Sequence, residues 1–452
     1  MRFTRANLLL ARATAFVVFT AILCAGSAAR ANPMDAFGSG SRASAMGGAA
    51  TAASEDSSAN YYNPGGLVRG RDLRIDIGYR YAQPILSMNG RDVGVDASRG
   101  FQIGIVAPGA IGPFRFAFGA SLWLPDQRLT RIRSLPFDQP RFVLFDNRPQ
   151  RLYMAANLAF QIVPGLYVGA GLSFMSRTAG QLFLKGDVAV SDPDASSLVS
   201  RINVDLIAVR YPQFGVLWDA TPWLSIGVSY RHSFVLDLDQ QFRIDGNIGN
   251  PGLPPVVENG YLAARSQSLD LFQPWQLTAG GALRLKRTIL LTFDLTFARW
   301  SEFPIPASNL TLALDIGSYN DRVMLPGPRS YPESGFHDIL IPRAGVELRA
   351  WERSRVAIDA RGGYSYEPTP VPEQIGESSL ADSDKHTFSL GAGIELSRIT
   401  SILPKPLAID VHAAVTYLPD RANRKVDPLD HTGDYVAGGV VLQIGLMMRT
   451  RF

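Results

Sequence analysis

Apolar and polar residues alternate strictly in segment after segment of this chain, and that period excludes more architectures than any other feature. Alternation gives a strand two unlike faces, whereas a helix would need a period near 3.6. Residues 73–81 put Leu73, Ile75, Ile77, Tyr79 and Tyr81 on one face and Arg74, Asp76, Gly78 and Arg80 on the other. Residues 288–298 repeat the design, with Ile289, Leu291, Phe293, Leu295 and Phe297 against Thr288, Thr292, Asp294 and Thr296. Residues 355–366, 386–396 and 407–417 do so again. We read about fourteen such runs, near 72–83, 99–107, 114–124, 150–162, 166–186, 204–218, 223–238, 267–285, 288–300, 338–350, 354–366, 386–397, 407–418 and 435–452. The run at 204–218 is the weakest, because Pro212 interrupts it.

The connections alternate between short and long. Residues 109–113, 163–165, 219–222, 286–287 and 351–353 are tight turns, and 398–406 is slightly longer. Residues 84–98, 125–149, 187–203, 239–266, 301–337, 367–385 and 419–434 are long, and rich in Pro, Asn and Asp. Short turns at one end and long loops at the other are the signature of a transmembrane barrel. An all-β fold is therefore expected: a closed antiparallel barrel of about fourteen strands spanning residues 71–452. Closure is obligatory in lipid, where an unsatisfied backbone group costs several kcal/mol.

The chain ends agree with export to a bacterial outer membrane. Arg2, Arg5 and Arg12 precede an apolar run over residues 13–25, and Ala29-Arg30-Ala31 reads as a cleavage site, so residues 1–31 are expected to be a signal peptide. Its four Arg account for the whole formal charge of +4, so the basic balance belongs to the leader and nucleic acid is not an expected partner. Cys24, the single cysteine, lies in the leader, which leaves no disulfide and no thiolate metal site beyond it. No later window approaches the apolar length of a membrane helix. The last run ends on Phe452, a terminus of the kind the barrel-assembly machinery is thought to read.

Residues 32–70 differ from everything after them. They are dense in Ala, Gly and Ser and include Phe37, Met46, Tyr61 and Tyr62. Small residues pack closely and Gly permits tight turns, so this stretch reads as a compact segment folded into the lumen. Ala45-Met46-Gly47-Gly48-Ala49, Glu55-Asp56 and Tyr62-Asn63-Pro64-Gly65-Gly66-Leu67 resemble the N-terminal hatch of the FadL/TodX outer-membrane transporters of fatty acids and aromatic hydrocarbons. That family often has Asn-Pro-Ala where this chain has Asn63, Pro64 and Gly65. A second match runs from Gly363 through Pro370-Val371-Pro372 to Asp382-Ser383-Asp384-Lys385-His386, with Lys385 in place of the usual Arg. A third runs from Pro274-Trp275 to Trp300-Ser301-Glu302-Phe303. The resemblance implies a fourteen-stranded barrel plugged by the hatch. It also implies an outer hydrophobic capture groove and an internal site, and release through a lateral opening at an inward kink in the third strand. Gly119 is the expected kink residue, since Gly within a strand often marks a bend; a small lumen-facing residue is the alternative.

The expected ligands are hydrophobic small molecules, long-chain fatty acids first, moving by diffusion. Aromatic hydrocarbon uptake and a general hydrophilic porin are the alternatives. Loop 125–149 carries Phe137, Phe142, Leu144 and Phe145, with Arg128, Arg131, Arg133, Arg141, Arg148 and Arg151 in or beside it. Apolar residues beside Arg suit an amphipathic anion, and equally the phosphates of lipopolysaccharide. Arg343 is the expected carboxylate anchor in the lumen. The other lumen charges are expected to pair across strands and brace the wall. No catalytic residues, cofactor or metal are expected, because no G-x-S-x-G elbow or H-E-x-x-H spacing occurs. A barrel lipase would have to rest on His386 and Ser389.

Overall fold

The computed structural model describes residues 33–129, 139–145, 151–189, 193–249, 253–286, 288–304, 309–325, 333–398, 405–427 and 430–452. Fourteen strands form a closed ring: β1 Arg74–Met88, β2 Ser98–Ile111, β3 Phe114–Pro125, β4 Tyr153–Val163, β5 Leu166–Ala189, β6 Ser197–Thr221, β7 Leu224–Arg231 continuing as Phe234–Gly249, β8 Val257–Gln273 continuing as Gln276–Leu285, β9 Ile289–Ala298, β10 Ile339–Arg353, β11 Val356–Glu367, β12 Lys385–Leu396, β13 Leu407–Asn423 and β14 Tyr435–Arg451. Each pairs antiparallel with its successor, and β1 closes on β14 from Arg74↔Arg451 to Met88↔Ala437. Phe452 N donates to Leu73 O at 2.9 Å, so both ends of the barrel lie at the short-turn end. Among the described residues no helix is long and apolar enough to cross a membrane; the crossing is made by strands.

The alternation read from the sequence is the alternation of the wall. On β9, Thr292, Asp294 and Thr296 are buried toward the bore, while Phe293 and Leu295 stand out from it. Phe101, Ile103, Leu158, Ile226, Leu277, Phe388, Val411 and Ile444 face outward on other strands and form the apolar belt that lipid requires. At the short-turn end Gly112 takes φ 58 between β2 and β3, a left-handed position favoured by glycine.

Two expectations need correction. The run around Pro212 is part of an unbroken 25-residue strand, β6. His232 N donates to Pro212 O, so the missing N–H of Pro212 points toward β7 at the level where β7 leaves β6. The proline therefore interrupts no strand above that point. The long connections at 187–203 and 239–266 are also mostly strand. The β5–β6 and β7–β8 hairpins rise beyond the wall, and upper β7 lies parallel to β5 from Asp239↔Ala179 to Gly249↔Ala189.

Residues 33–70 sit inside the ring. They form short helices α1 Pro33–Phe37, α2 Ser41–Ala45 and α3 Ala59–Tyr62, then a 3-10 turn, Pro64–Val68. Their contacts with β1, β6, β9, β10, β12 and β14 come from all sides of the bore.

Candidate functional site

The bore is divided by this N-terminal segment. Asp294 of β9 accepts from Ala50 N at 2.8 Å, Thr51 N at 2.9 Å and Thr51 Oγ1 at 2.8 Å, all through one carboxylate oxygen. Asn63 turns the chain: its Oδ1 accepts from Gly65 N at 3.0 Å, and its Nδ2 donates to Thr51 O and to Val216 O of β6, each at 2.9 Å. Pro64 opens the 3-10 turn, where its lack of an N–H costs nothing. A Cβ on Gly65 would stand 3.2 Å from Gly215 O and from Leu217 N, a tight fit for the alanine common in the hatch motif.

On the short-turn side of the segment lies a charged cavity. Arg361 pairs with Glu347 and Asp410, each at 2.6 Å, and Arg42 pairs with Glu347 at 2.7 Å. Arg449 bridges Asp76 at 3.0 Å and Asp56 of the segment. Buried charges need such partners, and these tie wall and segment into one network.

On the loop side lies a second cavity. Phe37, Phe145, Ile341 and Val441 give it apolar wall, and Arg231 and Arg343 give it cationic groups. Arg231 is engaged: it pairs with Asp35 at 3.2 Å, donates to Tyr61 O and lies over the Tyr61 ring at 4.2 Å. Arg343 is not. Its Nη1 donates to Thr296 Oγ1 at 2.6 Å, and it has no ion pair among the described residues, although Asp294 stands opposite it in the ladder. The cavity thus offers free guanidinium donors beside apolar surface.

The loops close this cavity from outside. Phe142, Leu144 and Phe145 are 0%, 1% and 3% exposed, and they pack with Leu86, Trp300, Phe303, Phe336, Val371 and Leu380 into one apolar cap. Although they belong to a long connection, these side chains line the inside of a lid rather than an outer surface, and of them Phe145 reaches the cavity. Phe137 lies outside the described residues. Arg141-Phe142 pairs in parallel with Leu380-Ala381, which straps the loop to the Pro-Val-Pro connection. In that connection burial pushes the Asp382 carboxyl above the usual carboxylate range, against the pull of Lys385, whose Nζ donates to it at 3.0 Å. The cap also takes in Trp300 and Phe303, whose place over the mouth alternation alone does not reveal.

Gly119 sits in an unbroken part of the wall. The β2–β3 and β3–β4 ladders pass through it without a register shift. A Cβ there would stand 2.5 Å from Asn60 Oδ1 and 2.7 Å from a Leu67 methyl carbon, so the missing side chain admits the N-terminal segment. Ser389 and His386 do not meet. An odd separation on one strand puts them on opposite faces. Ser389 Oγ accepts from Gly47 N at 3.0 Å, while His386 Nδ1 lies 2.9 Å from Tyr364 Oη.

The described geometry is that of a known group. Solved structures resembling this one include a Pseudomonas aeruginosa FadL homologue (TM-score 0.54, 15% identity, covering 91% of this chain and 97% of that one) and the Pseudomonas putida toluene transporter TodX (TM-score 0.51, 14% identity, 94% and 99%). At that identity they establish the fold. No curated protein sequence matches the chain. The family model described as outer membrane protein transport protein (OMPP1/FadL/TodX) matches residues 18–431. The chain therefore belongs to the FadL/TodX family of bacterial outer-membrane transporters of hydrophobic compounds.

Proposed function

We propose that this protein carries amphipathic anions with long apolar tails, long-chain fatty acids first, across the outer membrane by diffusion, with residues 33–70 as the hatch. The observation that carries this reading is the guanidinium of Arg343, without an ion pair among the described residues, beside Phe145, Ile341 and Val441 in the loop-side cavity. A planar guanidinium takes a carboxylate through two parallel hydrogen bonds. A hydrogen bond to a charged group contributes about 1.5–3 kcal/mol, whereas a neutral hydrocarbon would leave the same donors unsatisfied in a confined space. The lining carries Asp35, Asp294 and Glu367 as well as Arg231, Arg343 and Lys385, so it is the guanidinium of Arg343, without an ion pair among the described residues, that favours an anionic amphiphile over an aromatic hydrocarbon. A general porin is disfavoured because the N-terminal segment occupies the bore.

Oleate binding to the purified protein in detergent, compared with binding to Arg343→Ala, tests the assignment. Loss of the contact is expected to weaken binding about 10-fold to 100-fold, at roughly 1.4 kcal/mol per tenfold. Toluene binding is expected to be unchanged by the same substitution. Equal oleate affinities for the two proteins would remove Arg343 from the site.

A further inference from the structure

Above the wall, β6 has a strand on one side only. Its ladder with β5 runs up to Asp187↔Ser197, but its pairing with β7 begins at Gln213↔Arg231 and continues only toward the short-turn end. There β7 crosses over, with Phe234 stacked on Tyr211 at 4.5 Å, and joins the far edge of β5. Residues 197–211 therefore present an open edge among the described residues. Proteins ordinarily blunt such edges with Pro, Lys or a bulge. This one displays Val199, Ile202, Val204 and Leu206 at 71%, 69%, 63% and 65% exposure.

The edge is complementary to itself. Antiparallel pairing about a two-fold axis through Asn203 sets Arg201 opposite Asp205, Ile202 opposite Val204, and Val199 opposite Ile207. Neither Arg201 nor Asp205 has an ion pair among the described residues, so each charge is available to its mate. Centring the axis one residue either way sets Arg201 opposite Asn203 or Ile207 and loses the match. Backbone polarity also agrees. Pro212 O faces β7, so even-numbered residues of β6 direct N–H and C=O to the open edge, and Ile202 and Val204 are placed to bond across it.

We propose that a second copy of this chain docks on the β6 edge by antiparallel strand pairing centred on Asn203, joining the two extracellular sheets into one. The hairpin continues wall strands inclined about 35–45° to the barrel axis. The axis relating the copies therefore lies along the membrane plane, and the partners meet mouth to mouth, as apposed outer membranes or two detergent particles do. Nothing in this depends on the transported ligand.

Asn203 and its mate form a non-hydrogen-bonded pair with Cα atoms about 4.5 Å apart, within the disulfide range of about 4.4–6.8 Å. The chain's single cysteine is Cys24, so a Cys24→Ser background is free of other thiols. In that background Asn203→Cys, purified in detergent and oxidised, is expected to run mainly as a dimer on non-reducing gels. Ser197→Cys, whose mate lies about 40 Å away at roughly 3.4 Å per residue, is expected to stay monomeric. Adding Arg201→Asp to Asn203→Cys sets Asp opposite Asp and should cut the dimer several-fold, and further adding Asp205→Arg should restore it. Heat-modifiable migration confirms that each barrel is folded. Asn203→Cys dimer no more abundant than the Ser197→Cys control, or a yield indifferent to charge reversal, would overturn the proposal.

Discussion

One carboxylate oxygen does much to seat the N-terminal segment. Asp294 Oδ2 accepts two backbone N–H groups and one hydroxyl from Ala50 and Thr51. Replacing Asp294 by Ala leaves those donors buried without an acceptor, each at about 1–3 kcal/mol. Because Asn63, Arg42 and Arg449 hold the segment elsewhere, the barrel is expected to survive the change while the segment loosens. Two measurements check this: faster proteolysis within residues 33–70 and a higher ion leak in planar bilayers, both relative to the parent. An unchanged leak and cleavage pattern would show that Asp294 is not an anchor. The period-two pattern assigns Asp294 and Arg343 to the bore, but it could not divide their labour. Which of two opposed charges is used and which is free depends on where Thr51 lands, and that lies beyond any local pattern.

At the scale of elements, the wall is shaped to its contents by residues that are not there. A Cβ on Gly363 of β11 would stand 2.1 Å from Gly47 N, and one on Gly215 of β6 would stand 2.1 Å from Asn63 Oδ1. Gly363→Val therefore drives a side chain into backbone that Ser389 also holds. Overpacking of this kind costs about 1–3 kcal/mol. The expected outcome is a lower melting temperature in detergent with the outer belt intact, since position 363 faces the bore; wild-type stability would mean the segment has room to shift. The strand positions were legible because lipid and bore impose opposite demands on successive residues. Pro212 misled because a strand with one open edge loses little by lacking an N–H there. The hairpins above the wall misled for a related reason: outside lipid, Arg201, Asn203 and Asp205 need no enclosed partner, so polar spacing there looks like a loop. Phe142, Leu144 and Phe145 were legible as apolar and out of place, but not as the inside of a cap, because Phe303 and Phe336, stacked at 3.8 Å, come from a distant connection.

For the whole molecule, the ring and its contents rest on different forces. The ring is closed by continuous ladders, including β1 with β14, and side chains cannot fill a bore of fourteen strands because about eight already make the widest interior they fill. The contents are held by side-chain hydrogen bonds and ion pairs. Deleting residues 33–66 removes Arg42 and Asp56 from pairs with Glu347 and Arg449, which in a dry interior would cost about 3–5 kcal/mol each. Emptying the bore, however, floods it, and the abandoned charges are solvated at high dielectric, where an exposed ion pair contributes only about 0–1 kcal/mol. The truncated chain is therefore expected to fold as a heat-modifiable barrel. It is expected to conduct ions in large steady steps, while the full-length chain conducts little. Failure of the truncated chain to fold would assign the segment a structural role in barrel formation. A folded truncation with no added conductance would mean that the loops, strapped by Arg141-Phe142 to Leu380-Ala381, close the mouth by themselves; weakening that strap with Phe142→Asp in the truncated chain should then release the current.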